Sequence, residues 1–195
     1  MDALNSIGVL LGSSWASGVN LYMTVAGLGI ANRMHWITLP GNMKTLSHPI
    51  IILAASAMYI VEFVADKIPY FDSIWDSIHT FIRPVGGAAI GYMALAGATP
   101  VVQIPVALIT GAVSMDSHLT KATTRVAVNS TSVPGTNSVV SVTEDAAVFG
   151  ALYLIIKHPI ITAVLVILFI AFSIWFLIKM FQFLKRIFSF ILIPG

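Results

Sequence analysis

Four of the eight acidic residues in this chain of 195 crowd into one stretch, at Glu62, Asp66, Asp72 and Asp76, with Lys67, His79 and Arg83 among them. Glu62 and Asp66 are four apart. Like charges at that helical spacing repel, so the pair needs water, a cation, a shared proton or a basic partner. Asp72, Asp76, His79 and Arg83 follow at steps of four, three and four, which places them on one helical face, while Ile74, Ile78 and Phe81 fall on another side. Carboxylate oxygens and an imidazole in that register suit a divalent ion such as Mn²⁺ or Zn²⁺, with Asp72, Asp76 and His79 as ligands. They equally suit an ion-pair network with Lys67, Arg83, Lys121 or Arg125, in which His79 relays a proton.

A second polar group lies at Asp116, His118, Lys121 and Arg125, with Thr120, Thr123 and Thr124 interspersed. Its cations could hold a phosphate-like group or a lipid headgroup, or answer the acids at positions 62–76. Glu144 and Asp145 are read as the first turn of a helix, where the dipole stabilises acids, and also as partners of Lys121 or Arg125. Enzyme chemistry has little support. HExxH and GxSxG are both missing, Ser77 lies off the Asp76–His79 face, and no cysteine is present, so no catalytic residue is expected.

The elements that position these groups are apolar. The chain is 57% hydrophobic and 9% charged with net charge +2, and its mean hydropathy is +0.93. Soluble domains carry about 25% charged residues. Such a composition suits a lipid-facing surface and argues against a nucleic-acid partner. Apolar segments span roughly 4–31, 48–66, 84–98, 100–129, 141–156 and 159–178. The first is interrupted around Gly18 and Asn20, where it must pack closely or break. The pattern predicts an all-α polytopic bundle of about six crossings, with a short amphipathic or re-entrant helix over 72–83 running on through Pro84. It forms one domain over 1–195. Two weak echoes hint at halves 1–98 and 99–187: SGVNLYMTVA at Ser17 against SHLTKATTRVA at Ser117, which suits an inverted repeat, and SHPII at Ser47 against KHPII at Lys157, which does not. Even crossings with cytoplasmic termini put Lys67, Lys121, Arg125, Lys179, Lys185 and Arg186 inside, as the positive-inside tendency asks.

The run Asp66-Lys-Ile-Pro69, Asp72, Trp75-Asp76-x-x-His79-Thr and Ile82-Arg83-Pro84 resembles the signature of the DUF4126 family of bacterial membrane proteins. Glu144-Asp145 after a polar loop resembles that family's second half. The resemblance implies an integral protein of the bacterial cytoplasmic (inner) membrane and supplies no catalytic residue. Polar groups inside such a bundle are functional by default. The expected function is a small transporter or channel for an ion or small solute, oligomeric and most simply a dimer. Asp76, His79 and Arg83 line or gate the path, surrounded by Glu62, Asp66, Asp72, Asp116, Lys121, Arg125, Glu144 and Asp145, and a divalent metal is the one cofactor to test. The alternative is a non-transporting scaffold or lipid-headgroup binder whose charges form a structural network.

Overall fold

The computed structural model describes residues 2–130 and 135–192, and among these every regular element is helical. In chain order they are α1 (Ala3–Val19), α2 (Leu21–Arg33), a 3-10 turn (Gly41–Ser47), α3 (Pro49–Ala65), α4 (Pro69–Ala94), α5 (Pro100–Ser130), α6 (Thr136–Lys157) and α7 (Pro159–Leu192). Four of these helices begin on proline, whose fixed φ suits a first turn and whose missing N–H has no helical partner to lose there. Asn20 separates α1 from α2. Its extended backbone (φ −148°) ends the first helix, and its Oδ1 accepts from the Met23 N–H at 2.9 Å to cap the second. The first apolar segment therefore both breaks and packs tightly, because a Cβ on Gly18 would overlap the Ser114 carbonyl of α5.

Helix α1 occupies the centre, against α4, α5, α6 and α7. Its small residues permit that crowding. Gly8 rests on the Pro159 backbone, Gly12 on Thr162 and Ile155, and Ser13, Ser14, Ala16 and Ser17 are fully buried. Val9, Leu28, Met43, Ile90, Val148 and Ile155 complete the apolar core. Large apolar side chains face outward instead, among them Leu53, Phe81, Val101, Leu108, Phe149 and Leu168. That is the surface lipid requires and water penalises.

Among the described residues three helices are long and apolar enough to cross a bilayer: α5, α6 and the Pro159–Phe183 part of α7, with mean hydropathies of 1.2, 1.7 and 2.9. A fourth appears if the 3-10 turn and α3, bent by 70°, count as one span. The all-α bundle is as the sequence predicts, with three to four helices that qualify as spans by length and composition beside the six apolar segments. The break at Asn20 leaves pieces of 17 and 13 residues, the longer only about 26 Å at 1.5 Å per residue, against a hydrocarbon core of about 30 Å. The first half of α4 carries the acidic stripe, and the helix runs on through Pro84 to Ala94, as the sequence predicts. Helix α6 begins at Thr136, earlier than expected, just after Gly135 (φ +84°). Pro134, which with Gly135 reads as a turn in the sequence, and the Arg186 side chain lie outside the described residues.

Candidate functional site

The acidic stripe of α4 faces inward. Asp72, Asp76, His79 and Arg83 are all buried, whereas Ile74, Ile78 and Phe81 on the other side are exposed, as the spacing predicts. Three further helices complete the site, α3, α5 and, through Glu144, α6. The last turn of α3 presents Glu62 with Asp66 at its C-cap, and α5 presents Lys121 and Arg125, four apart on one face. None of these side chains could stay charged in an apolar interior alone, and together they form one network.

Arg83 donates from Nη2 to Glu62 Oε1 at 2.6 Å and lies 3.7 Å from Asp76 Oδ1. Lys121 Nζ donates to Asp66 Oδ2 at 2.9 Å, with Glu62 at 3.5 Å, Glu144 at 3.6 Å and Asp76 at 3.9 Å. Arg125 is held by three acids: Glu144 Oε2 at 2.5 Å, Asp66 Oδ2 at 3.3 Å and Asp72 Oδ1 at 3.5 Å. Arg125 also donates to the Asp66 carbonyl at 2.9 Å, closing the end of α3. Glu144 is the most accessible member, its side chain still only 15% exposed.

Two histidines bracket the network as hydrogen-bonding groups. Arg83 Nη1 donates to the Gly18 carbonyl at 2.9 Å and lies 2.7 Å from His118 Nδ1. A guanidinium has only donors, so Nδ1 accepts, and the His118 proton sits on Nε2. From there it can donate to Thr80 Oγ1 at 2.9 Å, whose hydroxyl donates to the Asp76 carbonyl at 2.9 Å. On the opposite flank His79 Nδ1 donates to the Trp75 carbonyl at 2.8 Å, and Nε2 meets the Tyr22 hydroxyl at 3.0 Å. That nitrogen accepts when the ring is neutral and donates when it is protonated.

Five carboxylates (Glu62, Asp66, Asp72, Asp76 and Glu144) face three cations here. Fully ionised, the network carries two surplus negative charges in a nearly dry interior. Asp76 bears the imbalance most plainly: it is 5% exposed, and neither carboxylate oxygen finds a hydrogen-bond partner among the described residues. At the start of α4, outside the membrane-spanning helices, burial pushes the Asp72 carboxyl up to about 6 despite the pull of Arg125.

The expected metal triad is not assembled. Among the described residues no three His, Asp or Glu side chains converge as ligands. Asp72 turns to Arg125 and Asn129, Asp76 to Arg83 and Lys121, and His79 to Tyr22. One face of a helix is broad enough to send three neighbours to three partners. The cations of the expected anion site are likewise engaged from within, Arg83 with Glu62, Lys121 with Asp66 and Arg125 with Glu144. Glu144 and Asp145 lie more than two turns inside α6, so the helix-end reading gives way to the ion-pair reading for Glu144. Asp145 accepts instead from Asn20 Nδ2 at 3.1 Å, tying α6 to the α1–α2 break. Lys67 stays outside, donating to the Phe63 carbonyl and capping the Phe63 ring. Asp116 does not join either; its Oδ2 lies 2.6 Å from Ser173 Oγ of α7. Sequence reasoning missed Tyr22 and the orienting role of His118. His118 stands one helical turn before Lys121, the only local sign that it shares that face.

A groove of about 330 Å³ between α1, α5, α6 and α7 reaches the network at Lys121 and Glu144, passing Trp15, Thr120 and Phe169. The family model described as a domain of unknown function (DUF4126) matches residues 7–179, so the chain belongs to that family. No curated protein and no solved structure matches it.

Proposed function

We propose that this DUF4126 protein is a small membrane transporter or channel for an ion or small solute, with the buried network of α3, α4, α5 and α6 as its site. The observation that carries the reading is the mismatch of five carboxylates against three cations, centred on Asp76, whose carboxylate oxygens accept no hydrogen bond among the described residues and meet Arg83 and Lys121 only at 3.7 and 3.9 Å. Buried charge is tolerated when it is matched. A network that serves only to hold helices together gains nothing from two extra anions. A network that takes up protons or a cation, and gives them back, requires them. The groove at Lys121 and Glu144 supplies an approach, and the Arg83 contact to Gly18 links occupancy of the site to the α1–α2 break. In this reading Asp76, Arg83 and His79 form the gate. The charged site lies on the cytoplasmic side of the bacterial inner membrane, both termini are cytoplasmic, and a dimer completes the pathway that so few helices enclose poorly alone.

One observation favours the second reading, a scaffold with a structural network: apart from Glu144 its members are almost wholly buried. Flux into proteoliposomes separates the two. Wild-type protein should carry protons or a mono- or divalent cation down an imposed gradient, and Asp76→Asn should lose that flux while remaining folded. Folded wild type that leaks no more than empty vesicles, for protons, sodium, potassium and manganese alike, would leave only the structural reading.

A further inference from the structure

Asp116 occupies the middle of α5, with 16 residues before it from Pro100 and 14 after it to Ser130, so it lies roughly 21–24 Å from either end at 1.5 Å per residue. It is half-buried against α7, and its Oδ2 lies 2.6 Å from Ser173 Oγ. Among the described residues no charge answers it. Helix α1 has no ionisable side chain, and α7 has none between Pro159 and Lys179. On α4, Asp72, Asp76 and Arg83 belong to the network, and His79 is engaged by Tyr22 and the Trp75 carbonyl. On α5 itself His118 is turned to Arg83, and Lys121 and Arg125 are held by the acids around them. On α6, Glu144 is taken by Arg125 and Asp145 by Asn20.

The hydrogen bonds of Ser173 say which form of Asp116 fits. Ser173 Oγ is within bonding distance of two acceptors, Asp116 Oδ2 at 2.6 Å and the Ile170 carbonyl at 3.0 Å. A hydroxyl has one proton. If it serves Asp116, the carbonyl contact is forfeited and a carboxylate anion remains in an apolar seam with one neutral donor. If Asp116 carries the proton, its O–H donates to Ser173 Oγ, the serine proton goes to Ile170, and both contacts are hydrogen bonds. The cost of an unpaired charge at that depth disappears as well.

We propose that Asp116 is a proton-binding site of its own, occupied at neutral pH, on the α5–α7 seam and separate from the charge network. Its chemistry is that of a carboxylic acid reachable from lipid, so it should react with a hydrophobic carbodiimide. The acid proton moves to one carbodiimide nitrogen while the carboxylate oxygen bonds the central carbon. The resulting O-acylisourea rearranges to a stable N-acylurea, with nothing lost.

The first test is infrared spectroscopy of the reconstituted protein near pH 7, wild type against Asp116→Asn. A protonated-carboxyl C=O band present in wild type and missing from the variant is the expected result; identical spectra in that region overturn the proposal. If Asp116→Asn does not fold, wild-type membranes treated with dicyclohexylcarbodiimide decide it by peptide mass spectrometry. Modification at Asp116 that fades as the pH is raised supports the proposal, and an Asp116 peptide recovered unmodified at every pH sinks it. Neither measurement depends on transport, so failure here and failure of the flux assay are distinguishable.

Discussion

Helix α5 carries charge in two settings. Toward α3, α4 and α6, Lys121 and Arg125 gather five carboxylates within 4 Å. Toward α7, Asp116 has only the hydroxyl of Ser173 within reach among the described residues. Both are answers to low dielectric. The first keeps charges and pairs them, which ties together helices distant in sequence and makes the loss of any one partner costly. The second removes the charge by holding a proton. It therefore contributes little cohesion and loses little when the carboxyl becomes an amide. The comparison separates two kinds of membrane acid that look alike in the sequence.

The largest effect should come from breaking the paired side. Arg125→Met leaves Asp72 without a cation and Asp66 and Glu144 with Lys121 alone. Removing one partner from a buried pair costs about 3–5 kcal/mol, so thermal unfolding in detergent should show a protein that barely folds or does not accumulate. Next comes Gly18→Ala, whose methyl would meet the Ser114 backbone and displace the carbonyl that Arg83 holds. Overpacking of that kind costs about 1–3 kcal/mol, again read as a lowered melting temperature.

Asp76→Asn sharpens the contrast within the network. It removes a surplus anion rather than a partner, so melting should hold steady or rise while proteoliposome flux disappears. Asp72 gives a smaller, pH-dependent signal. Its folded carboxyl stands at about 6, above the value of about 3.9 for a free aspartate. The stability tied to the retained proton is thus full below about pH 4 and lost as the pH rises through about 6. Wild type compared with Asp72→Asn should fare worse at about pH 7.5 than at about pH 5. A difference that stays flat across that range would mean that Asp72 is ionised throughout. The smallest effect is expected on the other side of α5. Asp116→Asn swaps one neutral hydrogen-bonding group for another and should shift stability by less than about 1 kcal/mol. A shift as large as that of Arg125→Met would place a charged Asp116 in a pairing role and erase the distinction.

Much of the site was legible from spacing. The steps of four, three and four through Asp72, Asp76, His79 and Arg83 put them on one buried face because an α-helix repeats every 3.6 residues. Pro49, Pro100 and Pro159, at the starts of apolar segments, mark helix starts by equally local logic. The beginning of α6 was misread because Thr136, Asn137 and Ser138 look like loop, whereas Gly135, with its positive φ, begins the helix directly at Thr136. Asp116 was grouped with Lys121 and Arg125 because it precedes them closely in sequence. Helical geometry sends it to the α7 side instead.

The amino-acid sequence by itself determined that this chain meets lipid, that its scarce charge concentrates on α4 and the end of α5, and that the first helix is weak at Asn20. Those are consequences of composition and of contacts within a few residues. Which acid meets which base was decided only by the tertiary structure. Arg83 reaches Gly18 across 65 positions, Lys121 reaches Asp66 across 55, and Asp116 reaches Ser173 across 57. Spacing fixes the face on which a side chain stands. The packing of α1 among its neighbours fixes what stands opposite, and the balance of charge there decides whether a buried carboxyl keeps its charge or its proton.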